Sequence, residues 1–204
     1  QTMSKVSIVI PIYSNWHLTH QILFDLYQHC TNIHEVVIVN DNSPDPGVIT
    51  GLDWWMGNKM LPVREIRLNK NVMFLKASNI GLKDATGDVI ITVSNDVRIQ
   101  SDIVTRISEL LSEGYPKRLI GGRLLDFDTG WNTFNGITFP YLEGWLLATT
   151  KRGWEELGYF DEQFSPSDME DVDISTNAKS FGYELISLND DRIQHLGAQS
   201  IGYN

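Results

Sequence analysis

The chain is nearly without cysteine: Cys30 is the only one in 204 residues. A single thiol excludes an internal disulfide and every cysteine-rich metal site. It falls in an apolar helical pattern, where a small buried core residue is expected. The scarcity of thiols fits a reducing cytosol, so a cytoplasmic location is expected. Long apolar runs are missing as well, and none approaches the about 20 residues of a membrane span. The opening QTMSKVSIVIPIY has one lysine and then a short β-branched run, which reads as a first strand and not as a secretory leader. Basic residues are few: 16 Lys and Arg stand against 26 Asp and Glu, a formal charge of −10. That balance argues against broad, phosphate-driven nucleic-acid binding. An anionic small ligand would need local help from a metal ion, a helix N-terminus or a few placed basic groups. Repeats, low-complexity tracts and flexible linkers are also lacking, so residues 1–204 are expected to form one domain.

What is present is alternation. Residues 5–12 (KVSIVIPI), 35–40 (EVVIVN), 63–68 (VREIRL) and 89–93 (VIITV) read as strands. Leu18, Ile22, Leu26 and Cys30 at four-residue steps predict an amphipathic helix between the first two. The stretch with Trp54 and Trp55 reads as a short helix, and a further helix is expected to run to about Ala85. Ser101 is placed to cap a helix whose apolar face is Ile103, Val104, Ile107, Leu110 and Leu111. This βαβαβαβα order predicts an α/β fold with a mostly parallel sheet covered by helices on both faces. The second half is less regular. It offers strands at 118–122 and 184–188, a short helix over 151–157 capped by Thr150, and no clear period over 126–139.

Three places carry side chains suited to chemistry. Strand 35–40 runs into Asp41-Asn42-Ser43-Pro44, at the kind of strand end where open parallel sheets keep ligands; the same residues also make an ordinary turn. Strand 89–93 delivers Ser94-Asn95-Asp96, and a carboxylate there suits an oxygen-loving cation or simply caps its own turn. His195 follows the last strand, as an ordinary loop residue or as a group that meets a metal or phosphate. Beyond these, Glu170 and Asp171 stand at the mouth of a helix marked by Ile174, Ala178 and Phe181 and ended by Gly182. Such a pair is either a helix cap or a catalytic base with its helper.

In order along the chain, these motifs resemble the family 2 glycosyltransferases. VSIVIPIYSN is similar to the family's first strand and turn, with Pro11 and Tyr13; VVIVNDNSPD is similar to its next strand end, with Asp41. NVMFLKASNIGLKDATGDVIITVSND resembles the family's Asn-x-Gly helix and following strand, with Asn71, Asn79, Asn95 and Asp96. GWLLATTKRGWEELGYFDEQFSPSDMEDVDI resembles the acceptor segment and Glu-Asp pair, with Gly144, Trp145, Glu170 and Asp171, and QHLGAQS resembles the closing His motif. Two positions depart from the pattern. Ser94 stands where the D-x-D motif has its first Asp, and Met73 replaces a glycine. The C-terminal helices or membrane segments that many members add are not expected here.

The resemblance implies a single αβα-sandwich GT-A domain. Residues 1–96 would form a Rossmann-like half that holds a nucleoside-diphosphate-sugar, and 97–204 the acceptor-binding and catalytic half. It implies transfer of a sugar with inversion to an acceptor hydroxyl, as in polysaccharide or surface-glycan synthesis. Asp171 would be the base and Glu170 its helper. Pro11, Tyr13, Asp41, Asn71, Asn79, Asn95 and Asp96 would face the donor, and Gly144 and Trp145 the acceptor. Asp96 and His195 would hold Mn2+ or Mg2+, with Ser94 leaving the metal in question. Two other readings stand beside it. One is a catalytically silent sugar- or nucleotide-binding module. The other is a nucleotidyltransferase, although the first strand here leads into Pro-Ile-Tyr-Ser-Asn-Trp and not into a glycine-rich basic loop.

Overall fold

Seven consecutive residues of VSIVIPI are buried, which only a strand covered on both faces allows. In the computed structural model, which describes residues 4–112, 117–125, 133–134 and 137–197, that strand lies inside a seven-stranded sheet. Most of the irregular stretch 126–139 and the last residues of the closing His motif lie outside the described residues. The strands are β1 (Val6–Ile12), β2 (Ile33–Asn40), β3 (Val63–Arg67), β4 (Val89–Val93), β5 (Val97–Ile99), β6 (Arg118–Gly121), β7 (Leu124–Leu125), β8 (Thr133–Phe134), β9 (Ile137–Thr138), β10 (Tyr141–Leu142), β11 (Leu146–Thr150), β12 (Glu184–Ser187) and β13 (Ile193–His195). The helices are α1 (Trp16–His29), α2 (Pro46–Asn58), α3 (Phe74–Asp84), α4 (Ile103–Ser112), α5 (Lys151–Leu157) and α6 (Glu170–Ser180).

The main sheet has the order β12-β6-β11-β4-β1-β2-β3. All neighbours pair in parallel except β11, which runs against both β4 and β6. Alternate strand residues feed two cores. Ile8, Ile10, Ile38 and Ile91 pack with Ile22, Leu26, Leu52 and Ile107 of α1, α2 and α4. Val9, Val37, Val39 and Ile90 pack with Leu75, Leu82, Trp154 and Ile174 of α3, α5 and α6. Each such side chain contributes about 1.5–3 kcal/mol by leaving water. Gly81 lets α3 sit close to the sheet, because a Cβ there would overlap Val9 and Val39. This is the α/β architecture expected, with helices on both faces.

Several local expectations change. The Trp54 segment belongs to a helix of 13 residues, capped by Asp45 and opened by Pro46. Asp102, not Ser101, caps α4, accepting the Thr105 N–H at 3.0 Å. Cys30 is half-buried at the end of α1, and burial pushes its thiol up to about 12. Phe181 lies past the last turn of α6 and is exposed, whereas Gly182 takes the positive φ of +80° that ends the helix. The chain from 146 to 150 forms β11, and β5 and β13 form a separate antiparallel pair.

At the sheet end away from the strands' carboxyl termini, Glu35 gathers four donors. They are Ser7 Oγ (2.7 Å), Thr86 N (2.7 Å), Thr86 Oγ1 (3.0 Å) and Arg64 Nε (2.7 Å). Burial alone would raise its pKa; Arg64, Thr86 and Ser7 outweigh burial and hold it at about 2, against an ordinary 4.5. Because the folded value is the lower one, this stabilisation is complete above pH 4.5 and is lost as pH falls toward 2. Arg64 is 36% exposed, so screening limits the contribution to about 2 kcal/mol. Glu35→Gln should therefore lose about 2 kcal/mol in urea unfolding at pH 7, with the gap to the parent shrinking at pH 3. An equal gap at both values would refute the account.

Candidate active site

The strand order reverses beside β1: the chain steps out to β2 and β3 and then returns to β4 on the other side. Open parallel sheets bind ligands in the crevice this creates at the strands' carboxyl ends. Pro11 is buried in β1, Tyr13 is exposed just past it, and Asp41 and Asn95-Asp96 follow β2 and β4. Asn71 precedes α3.

Asp41 is buried and accepts the N–H groups of Val72 (2.7 Å) and Met73 (3.0 Å), so it fixes the loop that leads into α3. Burial raises its pKa and the two N–H groups oppose the rise. Asn71 Oδ1 also accepts the Met73 N–H, at 2.9 Å. These bonds hold Met73 at φ 75°, ψ 164°, a backbone region that is essentially glycine's own. The Met73 side chain is half exposed. Relief of that strain, less the entropy a glycine adds to the unfolded chain, predicts that Met73→Gly gains about 1 kcal/mol. Thermal unfolding should show a rise of about 2–4 °C; a fall would show that the methionine contacts matter more.

Asn79 does not face the crevice. Its amide brackets the backbone of Phe160, accepting N–H at 3.0 Å and donating to the carbonyl at 2.9 Å, and donates to Glu162 at 3.1 Å. It ties α3 to the turn before α6.

Asn95 donates to Thr19 Oγ1 at 3.1 Å, and its buried Oδ1 has no hydrogen-bond partner among the described residues. Asp96 is buried beside it, with Oδ1 3.4 Å from His195 Nε2. The β5–β13 ladder makes this meeting: His195 is paired with Val97, and Leu196 N–H donates to the Asp96 carbonyl at 2.9 Å. No group of three or more His, Cys, Asp or Glu side chains converges on a metal site among the described residues. One carboxylate, one imidazole and one buried amide oxygen still suit Mn2+ or Mg2+, which use few protein carboxylates and complete their shells with phosphate and water.

The His195 ring stacks on Trp145, with centroids 5.4 Å apart and planes 15° apart. The indole N–H donates to Glu143 Oε2 at 3.0 Å, and a Cβ on Gly122 would overlap the ring. One face of Trp145 is thus already taken by an imidazole. Its carbonyl accepts Ser94 N–H at 2.9 Å, joining the end of β4 to the start of β11.

Glu170 and Asp171 are the first two residues of α6, where the backbone dipole favours negative charge. Asp171 accepts Gly144 N–H at 3.2 Å and Val172 N–H at 2.8 Å; Glu170 accepts Asp168 N–H at 2.6 Å. Burial raises the Asp171 pKa, its N–H donors oppose the rise, and the Glu143 charge adds to it. Glu170 is raised by burial first, with the charges of Asp171 and Asp168 adding to it. A Cβ on Gly144 would come within 3.3 Å of both Asp171 Cβ and Glu170 Oε1. The dipeptide Gly144-Trp145 therefore touches the carboxylate pair through one residue and the His195–Asp96 pair through the other. Sequence reasoning gave Glu143 no role, although it directly precedes that dipeptide. With Trp145, His195, Arg123 and Asp190 it lines a cavity of about 680 Å³.

Residues 7–178 match the model of glycosyl transferase family 2. The chain belongs to that family. This family 2 chain is 27% identical over 161 residues to the undecaprenyl-phosphate 4-deoxy-4-formamido-L-arabinose transferase of Proteus mirabilis, covering 78% of this chain and 48% of that protein. It is 27% identical over 118 residues to the dolichol-phosphate mannosyltransferase of Pyrococcus furiosus, covering 54% of this chain and 31% of that protein. It thus spans about half or less of the curated relatives it matches. In fold it is similar to the mannosyltransferase PcManGT of Pyrobaculum calidifontis, solved with GDP-Man and Mn2+. The TM-score is 0.73 at 19% identity, over 92% of this chain and 55% of that one. Its architecture is that of the GT-A glycosyltransferases. No helix among the described residues is long and apolar enough to cross a membrane.

Proposed function

We propose that this family 2 chain transfers a sugar, with inversion, from a nucleoside-diphosphate-sugar to an acceptor hydroxyl during polysaccharide or surface-glycan synthesis. The observation that carries the reading is the Gly144-Trp145 bridge, which puts the Asp171 carboxylate and the His195–Asp96 pair on two sides of one dipeptide. Residues 1–96 form the donor half and 97–204 the acceptor half. The acceptor oxygen attacks the anomeric carbon as the bond from that carbon to the diphosphate breaks. Asp171 takes the acceptor's proton, and the rise in its proton affinity that burial causes makes it a better base than an exposed aspartate. Glu170, tied to the Asp168 N–H, orients the acceptor beside it. Asp96, His195 and the Asn95 amide oxygen would hold Mn2+ or Mg2+, which supplies positive charge for the departing diphosphate in an otherwise acidic protein. His195 orients a diphosphate oxygen from its place on the indole.

The test is incubation with a panel of UDP-, GDP- and dTDP-sugars plus Mn2+, following release of nucleoside diphosphate by chromatography. Slow hydrolysis of one donor is expected without an acceptor, and faster release once a glycan hydroxyl is supplied. Ser94 in place of a second metal-binding aspartate favours one other reading, a catalytically silent binding module. That reading predicts a donor that raises the melting temperature by mass action with no nucleotide released.

A further inference from the structure

We propose that Glu143 is a positioning residue for the transfer: its carboxylate fixes the Trp145 indole, and the indole holds the His195 imidazole against Asp96. The kinetic part of this proposal rests on the glycosyl-transfer reading above; the structural part does not. Glu143 is itself well anchored. Its backbone N–H donates to the Arg123 carbonyl at 3.0 Å, and Arg123 Nε lies 3.8 Å from the same Oε2 that accepts the indole N–H. The Glu143 side chain is 25% exposed, so a hydrogen bond to its charge is only partly screened.

The indole is held on three sides. Glu143 takes its N–H, Gly122 leaves room for its ring, and the backbone is pinned by Ser94 N–H and by the pairing of Leu146 with Val93. His195 is anchored far less. Its backbone belongs to the three-residue strand β13, and its side chain is 31% exposed. Left alone, an imidazole so exposed samples several rotamers, and stacking on a fixed indole selects one. That rotamer is the one that brings Nε2 to 3.4 Å from Asp96 Oδ1. Glu143 acts on His195 through the indole, whose N–H it accepts at 3.0 Å and whose ring stacks on the imidazole.

The test uses the whole chain and has two arms. The first is the proton–carbon spectrum of the five histidines, with His195 assigned by its loss in His195→Gln. The stacked indole should shift the His195 ring protons upfield. Glu143→Gln, which keeps an oxygen acceptor for the indole, should hold that position; Glu143→Ala should lose it while the other histidine signals stay in place. If Glu143→Ala does not fold, Glu143→Leu fills similar space without an acceptor and carries the same expectation. The second arm is kinetic, with the nucleotide-sugar selected by the donor panel. Glu143→Ala should lower kcat about tenfold with little change in donor KM, and Glu143→Gln should restore most of it.

An unmoved His195 signal in a folded alanine or leucine variant overturns the proposal. So does a variant in which His195 moves while kcat stays within about twofold of the parent. If the parent chain turns over no nucleotide-sugar, the transfer reading fails instead, and the histidine spectrum still decides whether Glu143 positions the stack.

Discussion

Asp171→Asn is expected to abolish transfer while leaving the fold and donor binding in place. The amide oxygen can still accept the Gly144 or Val172 N–H, so the start of α6 should hold its shape. What it cannot do is take a proton from an attacking hydroxyl. Removing a positioned general base costs between about a hundredfold and ten-thousandfold, so the rate should drop by about a thousandfold. Melting temperature should change little, because relief of a buried charge is offset by one of the two N–H donors losing its acceptor. The parent's pH profile gives a second check. Asp171 must be deprotonated to act, so the rate should climb with pH through a pKa above the ordinary 3.8. That limb should be missing in the asparagine variant. A variant with near-full rate would remove Asp171 as the base and turn attention to Glu170.

Asp96→Asn should cost about a hundredfold to a thousandfold, the loss typical of removing one electrostatic stabiliser at a site of developing charge. The chemistry differs from the first case, and so does the readout. Here the readout is Mn2+ binding: titration with Mn2+ in a calorimeter, with nucleoside diphosphate present, should show heat for the parent and far less for the variant. The amide nitrogen also has no attraction for His195, whose Nε2 lies 3.4 Å from Asp96 Oδ1 in the parent. Equal Mn2+ heats in both proteins would show that Asp96 holds no metal.

The sheet was the most legible part of the chain. Runs such as VSIVIPI and VIITV read as buried strands from their β-branched residues and short length, and the helix between the first two follows from Leu18, Ile22 and Leu26. The length of α2 was also encoded, since Asp45-Pro46 is a cap followed by a proline at the first helical position. The same Asp-Pro is equally good turn chemistry, and local sequence does not choose between the two. The β5–β13 pair had no local signal: three-residue strands joined across more than ninety residues are fixed by the packing around them. Local sequence alone leaves His195 and Asp96 as separate loop residues; only the family resemblance had brought them together. The same holds for Trp145. The resemblance set it toward the acceptor, whereas its stacking partner and its glutamate come from tertiary contacts.

The direction of β11 has a practical consequence for redesign. Because it runs against its neighbours, the residues ahead of it, and not those behind it, arrive at the edge where β1, β2 and β4 end: Leu146 pairs with Val93 and Thr150 with Val89. An edit just ahead of Leu146 would therefore be felt at the edge where β1, β2 and β4 end. The same edit just after Thr150 would be felt at the opposite rim, near the Glu35 cluster, where it would test stability and not selectivity.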